Sequence, residues 1–227
     1  LEIRVDLSPV KKQIRAMRAM NDLLMVPDSS RDSLWEDEFL SRLAETSLTV
    51  LSPDPQTGPD QWPYLLVSTD AGDQPAQRVL AWLAERGIGM AVNPTKEFPD
   101  YVITYGMIWS FRETGRFIDR RHVPQDGEVE YVGAELKMSG PPTETYLPGY
   151  VRKIMKQFWT DQGVLQPRIQ VLSMDGENFD FALSLESIGN PPASEHSGIA
   201  EAVSWFLPPH YSVVLVSEKA LPPFAPL

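Results

Sequence analysis

The chain contains no cysteine, which excludes disulfides, thiolate nucleophiles and thiolate metal sites. Histidine is scarce: only His122, His196 and His210 occur, and no two stand at the i+3 or i+4 spacing of a helical metal site. No apolar run approaches the roughly 20 residues of a membrane-spanning helix. The first residues, beginning Leu1-Glu2, carry no signal-peptide pattern. Asn93 is followed by Pro94 and so offers no glycosylation sequon. Basic residues are in deficit, 20 Lys and Arg against 31 Asp and Glu, for a formal net charge of -11. Phosphate neutralisation needs a basic surface, so the balance disfavours nucleic acid and anionic lipid alike. These absences predict a cytoplasmic protein with neither nucleic-acid nor membrane partners.

Catalytic signatures are missing as well. There is no Walker lysine motif, no Gly-x-Ser-x-Gly elbow and no His-Glu-x-x-His. Gly87-Ile88-Gly89 follows a helical pattern and enters a strand, the reverse of a dinucleotide-binding turn, and Val92 stands where a third glycine belongs. Asp175 to Glu186 has the outer acids of a calcium loop, but Asp180 replaces the glycine at its sixth position. Asp175-Gly176 reads instead as a hairpin turn. No cofactor is expected, and the chain leans away from enzymes.

What is present suffices for folded cores: 42% of the 227 residues are hydrophobic and 10% aromatic. Ser8-Pro9 can open a helix running to about Leu24. Lys11, Lys12, Arg15 and Arg18 form a basic stripe along it, read as a solvated face or an anion or partner site. Ser33-Leu34-Trp35-Glu36 has capping-box spacing, and Leu34, Trp35, Phe39, Leu40 and Leu43 follow at helical intervals. Strands are expected at Leu48 to Leu51, Tyr64 to Ser68 and Ile88 to Val92. Between the last two, Asp73-Gln74-Pro75 starts a helix that Gly87 closes. Tyr101 to Phe111 reads as an extended segment with Gly106 as a possible bulge, followed by a turn at Glu113-Thr114-Gly115-Arg116 and a returning strand. Another short strand is expected near Glu130 to Val132.

Beyond Ser139-Gly140-Pro141-Pro142, Val151, Ile154, Met155 and Phe158 mark an amphipathic helix. Ile169 to Ser173 and Phe179 to Leu185 read as paired strands, the second with one buried face. Ile199, Val203 and Phe206 mark a helix, and Tyr211 to Val216 is the final strand. The expected fold is α+β: two small modules of mixed or antiparallel sheet packed by helices. The expected division is a first module over 1–138, a linker over 139–146 and a helix–strand–strand–helix–strand module over 147–227.

The ordering resembles the SseB-like (enhanced serine sensitivity) proteins. The resembling stretches are Asn21-Asp22-Leu23-Leu24, Phe39-Leu40 with Leu43, Leu48-Thr49-Val50-Leu51, Tyr64 through Asp70, and Val92-Asn93-Pro94. In the second half they are Leu147-Pro148, Val151-Arg152 and the paired strands. The middle segment, about Tyr101 to Glu135, departs from that pattern. The resemblance implies no catalytic residues.

Two constellations merit attention. Thr69-Asp70-Ala71-Gly72-Asp73 follows a strand and precedes a helix, so Asp70 and Asp73, with Asn93, are candidate ligand-binding residues; a turn with a helix cap uses the same residue types. Tyr101, Tyr105, Trp109 and Phe111 fall near one strand face, exposed as a binding stripe or buried in a central strand. With Arg112, Arg116, Arg120 and Arg121, the residues Tyr105 and Trp109 are the candidate surface for an acidic protein partner. The expected function is a noncatalytic protein-interaction or regulatory module. The alternatives are a small-ligand sensor at Asp70, Asp73 and Asn93, and a hydrolase or transferase without a recognisable motif.

Overall fold

A computed structural model describes residues 18–94, 98–120, 136–219 and 221–227. The expected helix start at Ser8, the basic residues Lys11, Lys12 and Arg15, the Arg121–His122 pair and the short strand near Glu130 lie outside the described residues. The chain forms two compact units, Leu1–Ala44 and Glu45–Leu227.

The first unit carries helix α1 (Met20–Leu24) and most of helix α2 (Ser33–Glu45). The N-cap of α2 is Asp32, one residue before the expected Ser33: its carboxylate accepts the Trp35 N–H at 2.8 Å. That shift turns Leu34 outward, 68% exposed, while Trp35, Phe39, Leu40 and Leu43 are buried. The Trp35 indole N–H donates to the Leu23 carbonyl at 2.9 Å and its ring stacks on Phe39, so one side chain joins the two helices. Arg18, the one described member of the basic stripe, is paired with Glu38 at 2.9 Å.

The second unit holds both sheets. Strands β1 (Ser47–Val50), β2 (Gln56–Thr57), β3 (Pro63–Ser68), β4 (Gln74–Pro75), β5 (Gly89–Val92) and β6 (Tyr101–Ile103) make the first, in the order β4-β1-β3-β5-β6 with β2 also on β3. Helix α3 (Ala76–Ala84) connects β3 to β5, which run parallel, with Leu66 opposite Ala91. Ala76, Val79, Leu80 and Leu83 form its buried stripe, and Gly87 beyond it, the expected closing residue, has φ +68°.

Tyr101 to Phe111 is not one extended segment. It is a three-residue edge strand followed by helix α4 (Tyr105–Thr114), capped by Thr104 and closed by Gly115 at φ +73°. Every residue from Tyr105 to Ser110 is buried, so no polar face marks the helical period. Gly106 is a packing glycine instead of a bulge: a Cβ there would lie 1.9 Å from the Leu207 carbonyl oxygen.

The second sheet comprises β7 (Met138–Gly140), β8 (Arg168–Ser173), β9 (Asp180–Ser184), β10 (Ser212–Val216) and β11 (Ala225–Pro226), in the order β10-β9-β8-β11 with β7 also on β8. Helix α5 (Gly149–Asp161) precedes β8, and helix α6 (Ala193–Ser204) connects β9 to its parallel neighbour β10. Both faces of β9 are covered, since Phe181, Ala182, Leu183 and Ser184 are all buried while Phe179 is partly exposed. Both sheets therefore mix parallel and antiparallel pairs and are packed by helices: an α+β protein.

One aromatic interior runs through Glu45–Leu227. Trp62 stacks on Trp205 at 4.4 Å. The Trp205 indole N–H donates to the Tyr64 hydroxyl, which donates to Asp60 at 2.6 Å. Tyr105 and Trp109 share this core with Leu147, Val151, Phe181 and Phe206. Residues from both sides of the expected 139–146 linker thus meet in one interior. That stretch is itself tied down, because the Arg152 guanidinium donates to the carbonyls of Pro142, Thr143 and Leu147.

Candidate functional site

The C-terminal ends of parallel β3 and β5 bring Thr69 and Asn93 together. In an open α/β sheet such strand ends are where ligands collect. Here the polar groups are engaged with one another. Asn93, at φ +51°, accepts the Thr69 N–H at 2.9 Å through Oδ1 and donates through Nδ2 to Thr69 Oγ1 and to Asp100 Oδ2 at 2.9 Å. Asp100 is buried, and its N–H returns to the Val92 carbonyl. The asparagine amide therefore ties the two strand ends to the start of β6.

Asp70 and Asp73 are exposed. The carbonyl of Asp70 accepts the Thr49 hydroxyl at 2.9 Å, and its N–H is taken by Ser68 Oγ. Gly72 runs so close to β1 that a Cβ would lie 2.4 Å from the Ser47 carbonyl oxygen. The constellation is a turn seated on β1. Its carboxylates are on the surface and its amide is already used.

Tyr105 and Trp109 are 0% and 2% exposed, which removes the aromatic half of the expected partner surface. Each is anchored by its polar atom: the Tyr105 hydroxyl donates to the Ala84 carbonyl at 2.9 Å and the Trp109 indole to the Phe206 carbonyl at 2.7 Å. Burial pushes the Tyr105 phenol well above its ordinary pKa. The arginines divide. Arg112 pairs with Glu85 at 3.3 Å and lies over the Tyr150 ring at 4.7 Å. Arg116 is exposed, with no ion pair among the described residues. Arg120 is exposed and takes part in intramolecular interactions, and Arg121 lies outside the described residues.

Chemistry is no better served elsewhere. His196 Nε2 is 3.1 Å from the Pro191 carbonyl, toward which it must carry a proton. His210 packs edge-on against Tyr211 at 5.0 Å. Among the described residues, no three His, Asp or Glu converge as metal ligands. Asp175 is spent on its own turn: its carboxylate accepts the N–H groups of Glu177 and Asn178, both at 2.8 Å. These bonds hold it well below the usual carboxylate range. The described residues contain no helix long and apolar enough to cross a membrane.

One surface feature remains without an internal use. Among the described residues, strand β10 ends the second sheet and is paired on one side only. From Tyr211 to Ser217 it carries no charge, proline or glycine, the devices that usually blunt such an edge. Its five residues are all half-buried. The sequence places the strand at the right residues; which side of it stays open depends on strand order. The one sequence signal for exposure is the lack of any interrupting charge.

Comparison with known proteins adds no assignment: no family model matches the chain, nor does any curated protein or solved structure.

Proposed function

We propose that this chain is a noncatalytic protein-interaction module, and that its contact with partner protein is made along the open edge of β10. The observation that carries the reading is an uncharged edge strand with one side of its backbone unpaired among the described residues. Such an edge offers N–H and C=O groups to an incoming strand, with affinity from the ladder and specificity from alternate side chains. The strand is also held ready. The Tyr211 hydroxyl donates to the Tyr146 carbonyl at 2.7 Å, and the Glu186 carboxylate accepts Ser217 Oγ and the Glu218 N–H beyond the other end. Little ordering entropy is then left to lose on docking. Kinship with the SseB-like proteins belongs to the same proposal and rests on the stretches quoted above.

The small-ligand alternative at Asp70, Asp73 and Asn93 has less support, because the Asn93 amide is committed to Thr69 and Asp100. A photo-crosslinking residue at position 212, compared with one at 116, tests the main reading. Crosslinks to protein from 212 and not from 116 are expected in the source extract. Crosslinking from 116 alone overturns the β10 surface and returns the arginine surface to consideration.

A further inference from the structure

We infer that the strand received by β10 is the β10 of a second copy, paired antiparallel about a two-fold axis through Val214. This rests on the edge-strand reading above and names its partner.

The direction of the free backbone groups follows from one bond. The Val216 carbonyl accepts the Leu185 N–H at 3.0 Å, on the side of β9. Backbone groups alternate sides along a strand, so those of Val214 and Ser212 also face β9, and those of Val213 and Leu215 face outward. Among the described residues nothing pairs with that side.

An axis through Val214 sets Val213 opposite Leu215 of the second copy. Both residues have outward-facing N–H and C=O groups, so they form a pair that exchanges both hydrogen bonds. The symmetric pair does the same, giving four bonds about the axis, and Val214 meets its own counterpart in the non-bonded position between them. The side chains agree. Val213 and Leu215 pack on the aromatic interior, while Val214 and Val216 pack with Leu172, Ala182 and Phe224 on the other face. A second copy in this register continues each apolar face into its own counterpart.

Charge permits a second copy at this edge and disfavours one elsewhere. A chain of net charge -11 repels itself across most of its surface, yet Tyr211 to Ser217 sets no charge against its own image. The first charged side chain beyond, Glu218, is neutralised by Arg168 at 2.8 Å and falls opposite His210, not an acid. Self-pairing at this edge therefore avoids the like-charge penalty that other faces would carry.

Light scattering on the full chain over a wide concentration range tests the inference. The expected result is a reversible shift toward twice the 25.5 kDa chain mass. Val213→Pro deletes an outward N–H while leaving every bond to β9 in place, and Ser212→Lys sets a charge at the edge; each should weaken association at least tenfold with the circular dichroism spectrum retained. A wild-type monomer at every concentration overturns the second copy. If position 212 still crosslinks to a different protein, the edge-strand reading survives; if it crosslinks to nothing, both fall. A dimer that persists unchanged in both folded variants overturns the β10 interface.

Discussion

Asp175 and Gly106 show two ways in which one residue fixes its neighbourhood. The Asp175 carboxylate gathers the N–H groups of the turn between β8 and β9, so its folded pKa lies below the unfolded value. The sign follows: this contribution is present above about pH 4, the unfolded carboxylate value, and is lost as pH falls toward the folded pKa. Following the Asp175 carboxyl by NMR through an acid titration should show protonation only well below pH 4, and Asp175→Asn should flatten that part of the stability profile. Gly106 acts through the space it leaves empty. Gly106→Ala should destabilise by about 2–3 kcal/mol in a denaturant melt, because the added methyl meets the Leu207 backbone. Gln170 is the converse case, 2% exposed with no hydrogen bond to its Oε1 among the described residues. Gln170→Met should be neutral or stabilising by about 1 kcal/mol in the same melt, since it removes a buried acceptor with no partner.

At the scale of elements, the helix α4 was hidden by its own burial. A helix wrapped in core loses the polar positions that reveal a 3.6-residue period, and its Tyr, Ile, Trp and Phe residues carry strand preference. Helix α3 was plain because one face meets water. The candidate ligand site follows the same logic: Asn93 and Thr69 were placed correctly at strand ends, but only pairing β3 with β5 brings the amide within reach of the threonine. Asn93→Ala should speed amide exchange at Thr69 and in β6, since it frees both strand ends from their shared clamp. Unchanged exchange at both places would show the clamp to be without energetic weight.

At the scale of the whole molecule, the aromatic interior sets the response to base. Burial raises the phenol pKa values of Tyr64, Tyr105, Tyr150 and Tyr211; Asp60 adds to the effect at Tyr64 and Glu113 at Tyr150. A raised folded pKa gives stability that is complete below the unfolded value, about 10, and lost above it. The phenolate absorbance of these four tyrosines, isolated by Tyr→Phe difference spectra, and the circular dichroism signal should therefore change together in a single alkaline step above pH 10. Absorbance rising well before the fold is lost would show these hydroxyls to be open to water.

Composition alone determined that thiol chemistry is impossible here, and local pattern determined the amphipathic helices, the Asp-Gly turn and the strands β8, β9 and β10, but not the short β7 and β11. These are short-range matters, settled by residue type and by which face meets water. The tertiary structure decided the rest: that Tyr105 and Trp109 are interior, that Asn93 is a clamp, and that β10 has no second strand beside it among the described residues. Each depends on which distant segments become neighbours, and strand order is not written in the period of any one strand.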